Sequence, residues 1–293
     1  MTPVRKPALL LLALLLLPGC AGDEAVGRVG ATEVHLSGIE VLYESNAISI
    51  GDFRQALFRL MAVEVIRQGL AADFQATVEP ARVDDYLADL EAYLAQYGYT
   101  PAQYLGVENA SEAMLRFNAE VMALRDTVLD LLIVSPDTVE ELFADPVGLT
   151  EVCVKHIVVT TEDEAEAAKA RLAAGEDFAT VAEGVSQDTA NEGGDLGCAP
   201  AASYGAPFAA AAVAAPLGEV TGPVLTDWGY RLLVVTERTT PTREEYLADP
   251  REQLTDDQLA DLWSDWYNDR LRAADAWVAE RYGTWTPVGI TGP

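Results

Sequence analysis

The stretch Val154-Lys155-His156-Ile157-Val158-Val159 decides the fold, because the helical periodicity of the preceding residues ends just before it. β-Branched residues dominate this run, which favours a buried strand with one histidine inside it. The sequence that follows, as far as Glu237, alternates between the two periodicities and predicts an α/β segment. Its predicted elements are a strand at 152–160, helices at 162–174 and 178–184, a glycine-rich loop at 186–198, a helix at 206–214, and strands at 222–226 and 230–237.

Helical patterns flank this segment on both sides. Apolar residues recur at helical spacing before it, and an apolar stripe rich in tryptophan follows it from Leu259 to Tyr282, where Gly283 is expected to end the helix. Residues 21–31 are expected to be a short tether. The other predicted elements are helices at 53–72, 83–97, 111–132 and 135–145, a strand at 33–37, and an extended segment containing Trp285, Val288 and Ile290.

The predicted fold class is therefore α+β, with a mixed domain inserted into a helical domain that both chain ends form. A four-stranded antiparallel sheet is expected in the inserted domain, on the family resemblance given below. The predicted divisions are a signal peptide at 1–20, an N-terminal helical part at 21–150, the inserted domain at 151–238 and a C-terminal helix at 239–293.

Charge excludes one class of partner. The chain has 19 basic and 47 acidic residues, which gives a formal net charge of −28. Such a charge repels nucleic acid, so no nucleic-acid partner is expected. The chain has two histidines and no Cys/His ligand spacing, and it lacks a phosphate-binding Walker loop, so neither a metal nor a cofactor is expected.

The first twenty residues indicate export. Arg5 and Lys6 precede an unbroken apolar run from Ala8 to Leu17, which is the length of a signal-peptide core and too short to span a bilayer. The run ends in Leu17-Pro18-Gly19-Cys20, which resembles the lipobox of bacterial lipoproteins. We therefore expect Cys20 to carry the lipid that anchors the protein. The alternative is an ordinary signal peptide that contains a cysteine by chance.

Two further cysteines, Cys153 and Cys198, remain after Cys20 is assigned to lipid. An even pair in an exported protein favours a disulfide. The alternative is a pair of buried free thiols.

Seven motifs of the middle segment resemble the parvulin family of peptidyl-prolyl isomerases, and they occur in the family's order and spacing. The flanking helices, in their layout around an inserted domain behind a lipoprotein signal, resemble the chaperone domain of PrsA- and SurA-like bacterial foldases. The parvulin-like motifs are Val154 to Val159, Gly175 to Ala179, Ser186 to Asp188, Gly193 to Gly197, Ala206 to Phe208, Pro216 to Val220, and Gly222 to Val224 with Thr226 to Tyr230.

The resemblance implies roles for individual residues. The positions that line the family's proline pocket are occupied by Leu196, Tyr204 and Phe208. His156 matches the first histidine of the family's paired-histidine core. Asp188 matches the position that faces the reacting amide. The alternatives are that the pocket residues are plain core, that the histidine is structural and that the aspartate caps a loop.

This sequence departs from the family at two positions. Arg231 stands where the family has its second histidine. Trp228 stands where Ser or Thr is usual in the family, and we count it with the substrate-binding residues. A guanidinium cannot accept a hydrogen bond, so Arg231 cannot replace a neutral imidazole; we expect it to pair with Asp188. The short acidic stretch 160–164 replaces the basic loop of phosphate-directed parvulins, which argues against phosphopeptide recognition.

Two hypotheses for function follow. One is a working prolyl isomerase that is attached to a chaperone module. This protein would be lipid-anchored on the extracytoplasmic face of a bacterial membrane, and its partners would be unfolded exported proteins that contain Xaa-Pro bonds. The other is a non-catalytic holdase whose parvulin scaffold lost activity with Arg231.

Overall fold

The computed structural model describes residues 23–45 and 48–292, so the predicted signal peptide and Cys20 lie outside the described residues. The helices are α1 (Leu36–Glu40), α2 (Ile50–Phe74), α3 (Pro80–Tyr97), α4 (Pro101–Leu105), α5 (Glu112–Leu132), α6 (Pro136–Ala144), α7 (Glu162–Ala173), α8 (Phe178–Val185), α9 (Ala206–Ala214), α10 (Arg243–Ala248) and α11 (Asp256–Ala273). The strands are β1 (Ala25–Val29), β2 (Thr32–His35), β3 (Glu151–Val159), β4 (Asp195–Pro200), β5 (Val220–Thr226), β6 (Gly229–Thr239), β7 (Ala276–Val278), β8 (Thr284–Thr286) and β9 (Gly289–Thr291).

Both ends of the chain form one compact unit, made of the described residues up to 131 and from 260 onward. Its longest helix, α2, begins at the N-cap Ser49 and is buried along much of its length. A three-stranded sheet, in the order β2-β1-β7, completes this unit together with the β8-β9 hairpin. None of the described helices is both long and apolar enough to cross a bilayer.

The structure corrects two predictions in this unit. The expected tether at 21–31 contains β1, and the expected helix to Tyr282 ends at Ala273. Strand pairing explains both differences, because Gly27 of β1 pairs with Val278 and the pairing holds the residues after α11 in an extended form. The apolar spacing of that stretch imitates a helical stripe, but a nonlocal strand partner overrides it.

The middle of the chain, residues 132–259, forms the second compact unit. Its four-stranded antiparallel sheet has the order β4-β3-β6-β5, which confirms the predicted fold class. The end of the predicted glycine-rich loop is itself a strand, β4, which pairs with β3. Helices α6 and α10 also belong to this unit, and the buried Tyr246 of α10 donates a hydrogen bond to the carbonyl of Ile133.

The two faces of this sheet carry separate cores. Val152 and Val154 of β3 pack with Phe208 of α9 on one face. Ile157 and Val159 pack with α7 and α8 on the other face. This alternation follows the period of two in β3, and it leaves His156 on the face that α9 covers.

A disulfide joins Cys153 of β3 to Cys198 of β4, two residues that lie directly opposite each other in the antiparallel register. It fixes β4, at the edge of the sheet, to the central strand. The glycine-rich loop that leads into β4 is thereby held at its far end.

We expect removal of this disulfide to destabilise the middle unit. The two cysteines are 45 residues apart, and closing a loop of that size is worth about 4 kcal/mol in the chain-entropy model, with smaller values common. Urea denaturation of a chain starting at residue 21 should show a lower free energy of unfolding for Cys153→Ala/Cys198→Ala. Two titratable thiols in the denatured, unreduced protein would contradict the bond.

Candidate functional site

Two neighbouring strands supply the centre of the candidate site. His156 lies opposite Leu233 and Arg231 lies opposite Val158 in the register of β3 with β6. Directly opposite residues of an antiparallel pair share a face, so both side chains lie on the face that α9 covers. His156 is buried, with 3% of its surface exposed, whereas Arg231 is half-buried.

The third residue, Asp188, comes from the loop after α8, which backbone bonds hold against β3. The amide of Gln187 donates to the carbonyl of Val158 at 2.8 Å, and the amide of Val158 donates to the hydroxyl of Ser186 at 3.2 Å. Ser186 is the C-cap of α8, so this serine connects the helix end to the strand.

Gly194 brings the far side of the same loop against the histidine's backbone. Its φ is +74°, and a Cβ at this position would lie 2.1 Å from the carbonyl oxygen of His156. A side chain is therefore excluded by both conformation and space. This close approach explains the glycine at 194, whereas Gly193 has a φ of +61° and its added Cβ would lie 2.8 Å from the Cβ of Ala179.

His156 and Asp188 form a direct hydrogen bond, with 2.7 Å between Nε2 and Oδ2. An ionised carboxylate can only accept, so the imidazole proton is on Nε2 and the Nδ1 atom is left as an acceptor. The guanidinium of Arg231 faces that atom, with Nη1 3.5 Å from Nδ1. The neutral imidazole therefore lies between a carboxylate and a guanidinium.

The predicted pair between Arg231 and Asp188 is wrong. No ion pair joins them within the described part of the chain, because His156 contacts each of them with a different ring nitrogen. The guanidinium lies over the ring of Phe208, 5.1 Å from its centroid, and its buried Nε has no hydrogen-bond partner. The guanidinium therefore has a cation–π contact with the ring of Phe208 in place of the predicted direct ion pair with the carboxylate of Asp188.

Loop atoms hold the carboxylate of Asp188 in the ionised state. The side chain of Asn191 donates to Oδ2 at 2.7 Å, and the amide of Ala190 donates to Oδ1 at 3.0 Å. The bond from Asn191 is the largest cause that lowers the pKa of Asp188 to about 2; the bonds from His156 and Ala190 also lower it, and burial opposes them. Sequence reasoning missed Asn191; the spacing of Asp188 and Asn191, three residues apart in a loop, was the available signal.

The same surroundings favour the neutral form of the histidine. Burial lowers the pKa of His156 below its ordinary value, and the nearby charge of Arg231 lowers it further, while the hydrogen bond to Asp188 opposes both effects. Burial also lowers the pKa of Arg231. The site therefore combines one negative, one neutral and one positive group at neutral pH.

Aromatic residues border this polar group. The ring of Phe208 lies edge-on to His156 with centroids 6.2 Å apart, and Tyr204 packs 5.0 Å from Phe208. Phe208 is buried, whereas Tyr204 and Leu196 are partly exposed and pack on the core that contains it. Burial raises the pKa of the Tyr204 phenol, so this hydroxyl is neutral.

Trp228 is placed differently from the other predicted binding residues. It lies in the turn between β5 and β6, and 76% of its surface is exposed. Helix α7 begins almost directly after β3 with a capping box of Thr161 and Glu164, so acidic side chains occupy the place of a basic loop. No group of three or more His, Cys, Asp or Glu suited to a metal occurs among the described residues.

Comparison with known proteins confirms the parvulin resemblance. Residues 155–237 match the family model described as "Rotamase: PPIC-type PPIASE domain". The chain is 46% identical over 89 residues to the foldase protein PrsA of Clostridium botulinum, a match that covers 29% of this chain and 26% of the relative. It is 34% identical over 160 residues to PrsA of Clostridium acetobutylicum, covering 52% of this chain and 46% of the relative.

Structural similarity extends beyond the matched domain. A crystal structure of the peptidylprolyl isomerase PrsA from Bacillus cereus aligns with a TM-score of 0.58 at 21% identity, and covers 86% of this chain and 92% of that chain. The TM-score supports a shared fold, and at this sequence identity the similarity shows the fold alone. In sequence, the chain spans between about a quarter and about half of the length of the curated relatives named above.

We expect His156 to titrate below its ordinary pKa of about 6.5, with its proton on Nε2 in the neutral form. Because the unfolded chain then binds more protons than the folded one, stability should fall as pH falls from about 6.5 to the folded pKa. Long-range ¹⁵N–¹H NMR of the two histidines measures both properties. Arg231→Leu should raise the pKa of His156. A folded pKa above 6.5, or a proton on Nδ1, would contradict this arrangement.

Proposed function

We propose that this protein is a lipid-anchored folding factor that catalyses cis/trans isomerisation of Xaa-Pro bonds in exported proteins. The observation that carries the proposal is one arrangement: a fixed carboxylate and a neutral imidazole beside an aromatic pocket. Asp188 and His156 supply the polar groups, and Phe208, Tyr204 and Leu196 supply the pocket. The family match over 155–237 supports the same reaction.

The reaction requires rotation about an amide bond, without a covalent intermediate. Its barrier is about 18–20 kcal/mol, because the twisted amide loses resonance. The planar amide carries partial negative charge on oxygen, and the twisted one carries less. A carboxylate beside that oxygen therefore disfavours the planar form relative to the twisted one, which is the difference that catalysis needs.

Each residue has a part in this proposal. The proline ring binds against Phe208 and Tyr204, while Asp188 faces the amide of the preceding residue. His156 positions the carboxylate, because its Nε2–H is bonded to Oδ2. Burial is the main cause that keeps the imidazole neutral, and the charge of Arg231 adds to it. The guanidinium also balances the charge of the carboxylate, so a substrate that covers the site does not bury a net negative charge.

Export and anchoring belong to the same proposal. The apolar run ending at Cys20, with its basic flank, supports cleavage and lipidation at that cysteine. Lipidation would hold the protein on the extracytoplasmic face of the membrane, where unfolded exported chains emerge. The disulfide between Cys153 and Cys198 is consistent with that oxidising location.

We expect Asp188→Ala and Phe208→Ala each to reduce isomerase activity on Xaa-Pro peptides by at least about tenfold, near 1.4 kcal/mol. Loss of Asp188 should lower kcat more than it raises KM, and loss of Phe208 should mainly weaken binding. Matched controls are Asp163→Ala, in the first turn of α7, and Phe178→Ala, which removes a ring from the other face of the sheet.

Both controls should retain wild-type kcat/KM, provided that circular dichroism shows all four variants to be folded. A wild-type protein that accelerates no peptide of an Xaa-Pro panel, yet suppresses aggregation of an unfolded client, would replace this proposal with the holdase.

We expect Cys20→Ala to release the protein from the membrane fraction, because the thiol is the acceptor for the lipid. Fractionation of cells after a salt wash measures this, with Cys198→Ala as the control that keeps the acceptor. A Cys20→Ala protein that still sediments with membranes would show that anchoring does not depend on this residue.

A further inference from the structure

Four tyrosines form an exposed group in the other unit, at the end of α3 and in α4. We call this group the tyrosine cluster; its members are Tyr93, Tyr97, Tyr99 and Tyr104, with exposed fractions of 43%, 55%, 48% and 38%. Contiguous exposed apolar patches mark interaction sites on soluble proteins, whereas single exposed rings are ordinary. Neither the sheet site nor the core of this unit uses them.

Backbone geometry brings the rings together. Gly98 ends α3 in the left-handed conformation, with φ +68°, and the chain reverses so that the amide of Tyr99 donates to the carbonyl of Leu94. Thr100 then starts α4 with a capping box. The ring of Tyr93 consequently lies in the middle, with centroid distances of 4.7 Å to Tyr97, 6.4 Å to Tyr99 and 5.6 Å to Tyr104.

The sequence that contains the cluster is acidic. Residues 83–115 contain six acidic residues and no lysine or arginine; one of the six, Asp84, pairs with Arg116, which directly follows this stretch. The last turn of α3 has no basic residue, so the partial negative charge of that helix end is not neutralised there. Four π faces and a negative field both attract cations, and the same field repels anionic lipid headgroups.

We propose that the tyrosine cluster binds arginine- or lysine-containing extended segments of polypeptide. A guanidinium stacks on the exposed ring faces, and the acidic residues around the cluster attract it electrostatically. The proposal extends the proposed function, because the natural source of such segments would be the unfolded exported chains. It requires neither a proline in the segment nor the site on the sheet, so the isomerase domain and this surface recognise different features of a client.

The test uses the full chain from residue 21 and a proline-free, fluorescein-labelled peptide of Gly-Ser-Arg repeats. The matched peptide has Gln in place of every Arg. Fluorescence anisotropy should give at least about fivefold tighter binding of the Arg peptide, and the difference should shrink with added salt. Tyr97→Leu/Tyr99→Leu should weaken binding of the Arg peptide to the level of the Gln peptide.

Two controls separate stacking from other causes. Tyr97→Phe/Tyr99→Phe keeps the ring faces and should bind as the wild type does. Trp277→Leu removes an exposed ring elsewhere in the unit, opposite Arg28 in the sheet, and should also have no effect. Equal binding of the two peptides, wild-type binding by the Leu variant, or equal losses in the Phe and Leu variants would each overturn the proposal.

Isomerase activity measured on the same variants keeps the two proposals distinct. The tyrosine variants should retain wild-type activity on short Xaa-Pro peptides. A wild-type protein without isomerase activity that still prefers the Arg peptide would remove the proposed reaction and leave the tyrosine cluster as a binding surface.

Discussion

The hydrogen bond between His156 and Asp188 is the constraint on which the candidate site depends. It joins the central strand β3 to the loop after α8, two segments that backbone bonds and the close approach of Gly194 already hold together. Since both partners are positioned before they meet, little conformational entropy is lost in forming the bond. The bond also selects the imidazole tautomer, and the tautomer determines what can lie on the other side of the ring.

Arginine is compatible with the histidine's second nitrogen for this reason. With the proton on Nε2, the Nδ1 atom is an acceptor, and a guanidinium is a donor at every nitrogen. Position 231, beside Nδ1 of His156, therefore does not require a second imidazole. Burial disfavours the charged guanidinium, the negative charge of Asp188 partly offsets this effect, and the ring of Phe208 contributes an aromatic face to its surroundings. A site with this composition keeps its histidine neutral through burial and through charge.

The sequence was sufficient to predict the elements that local patterns specify. The strand at β3 and the helices α7 and α9 follow from periodicity together with the family motifs, and the four-stranded antiparallel sheet follows from the family resemblance, but the order of its strands was not predicted. Strand β1 and the early end of α11 were not predictable in this way, because they depend on pairing between Gly27 and Val278 at opposite ends of the chain.

The candidate site also has features that local sequence patterns do not determine. The family resemblance implied that His156, Asp188 and Arg231 would lie together, and they do. The path of the loop after α8 determines whether the guanidinium of Arg231 contacts His156 or Asp188. The length of the arginine side chain and the fit of a guanidinium to a carboxylate wrongly favoured Asp188. Asn191, which holds Asp188 ionised, belongs to a loop whose conformation no periodicity encodes.

The pH dependence of kcat/KM for a short Xaa-Pro peptide tests the central claim most directly, because it reports ionisations of the free enzyme. If a neutral His156 holds the carboxylate in place, activity should be constant from about pH 7 to 8 and should fall on the acid side through a pKa below 6.5. That acid limb should disappear, together with most of the activity, in His156→Ala. A profile with an acid limb above 6.5 in the wild type, or an acid limb that persists unchanged in His156→Ala, would contradict the claim.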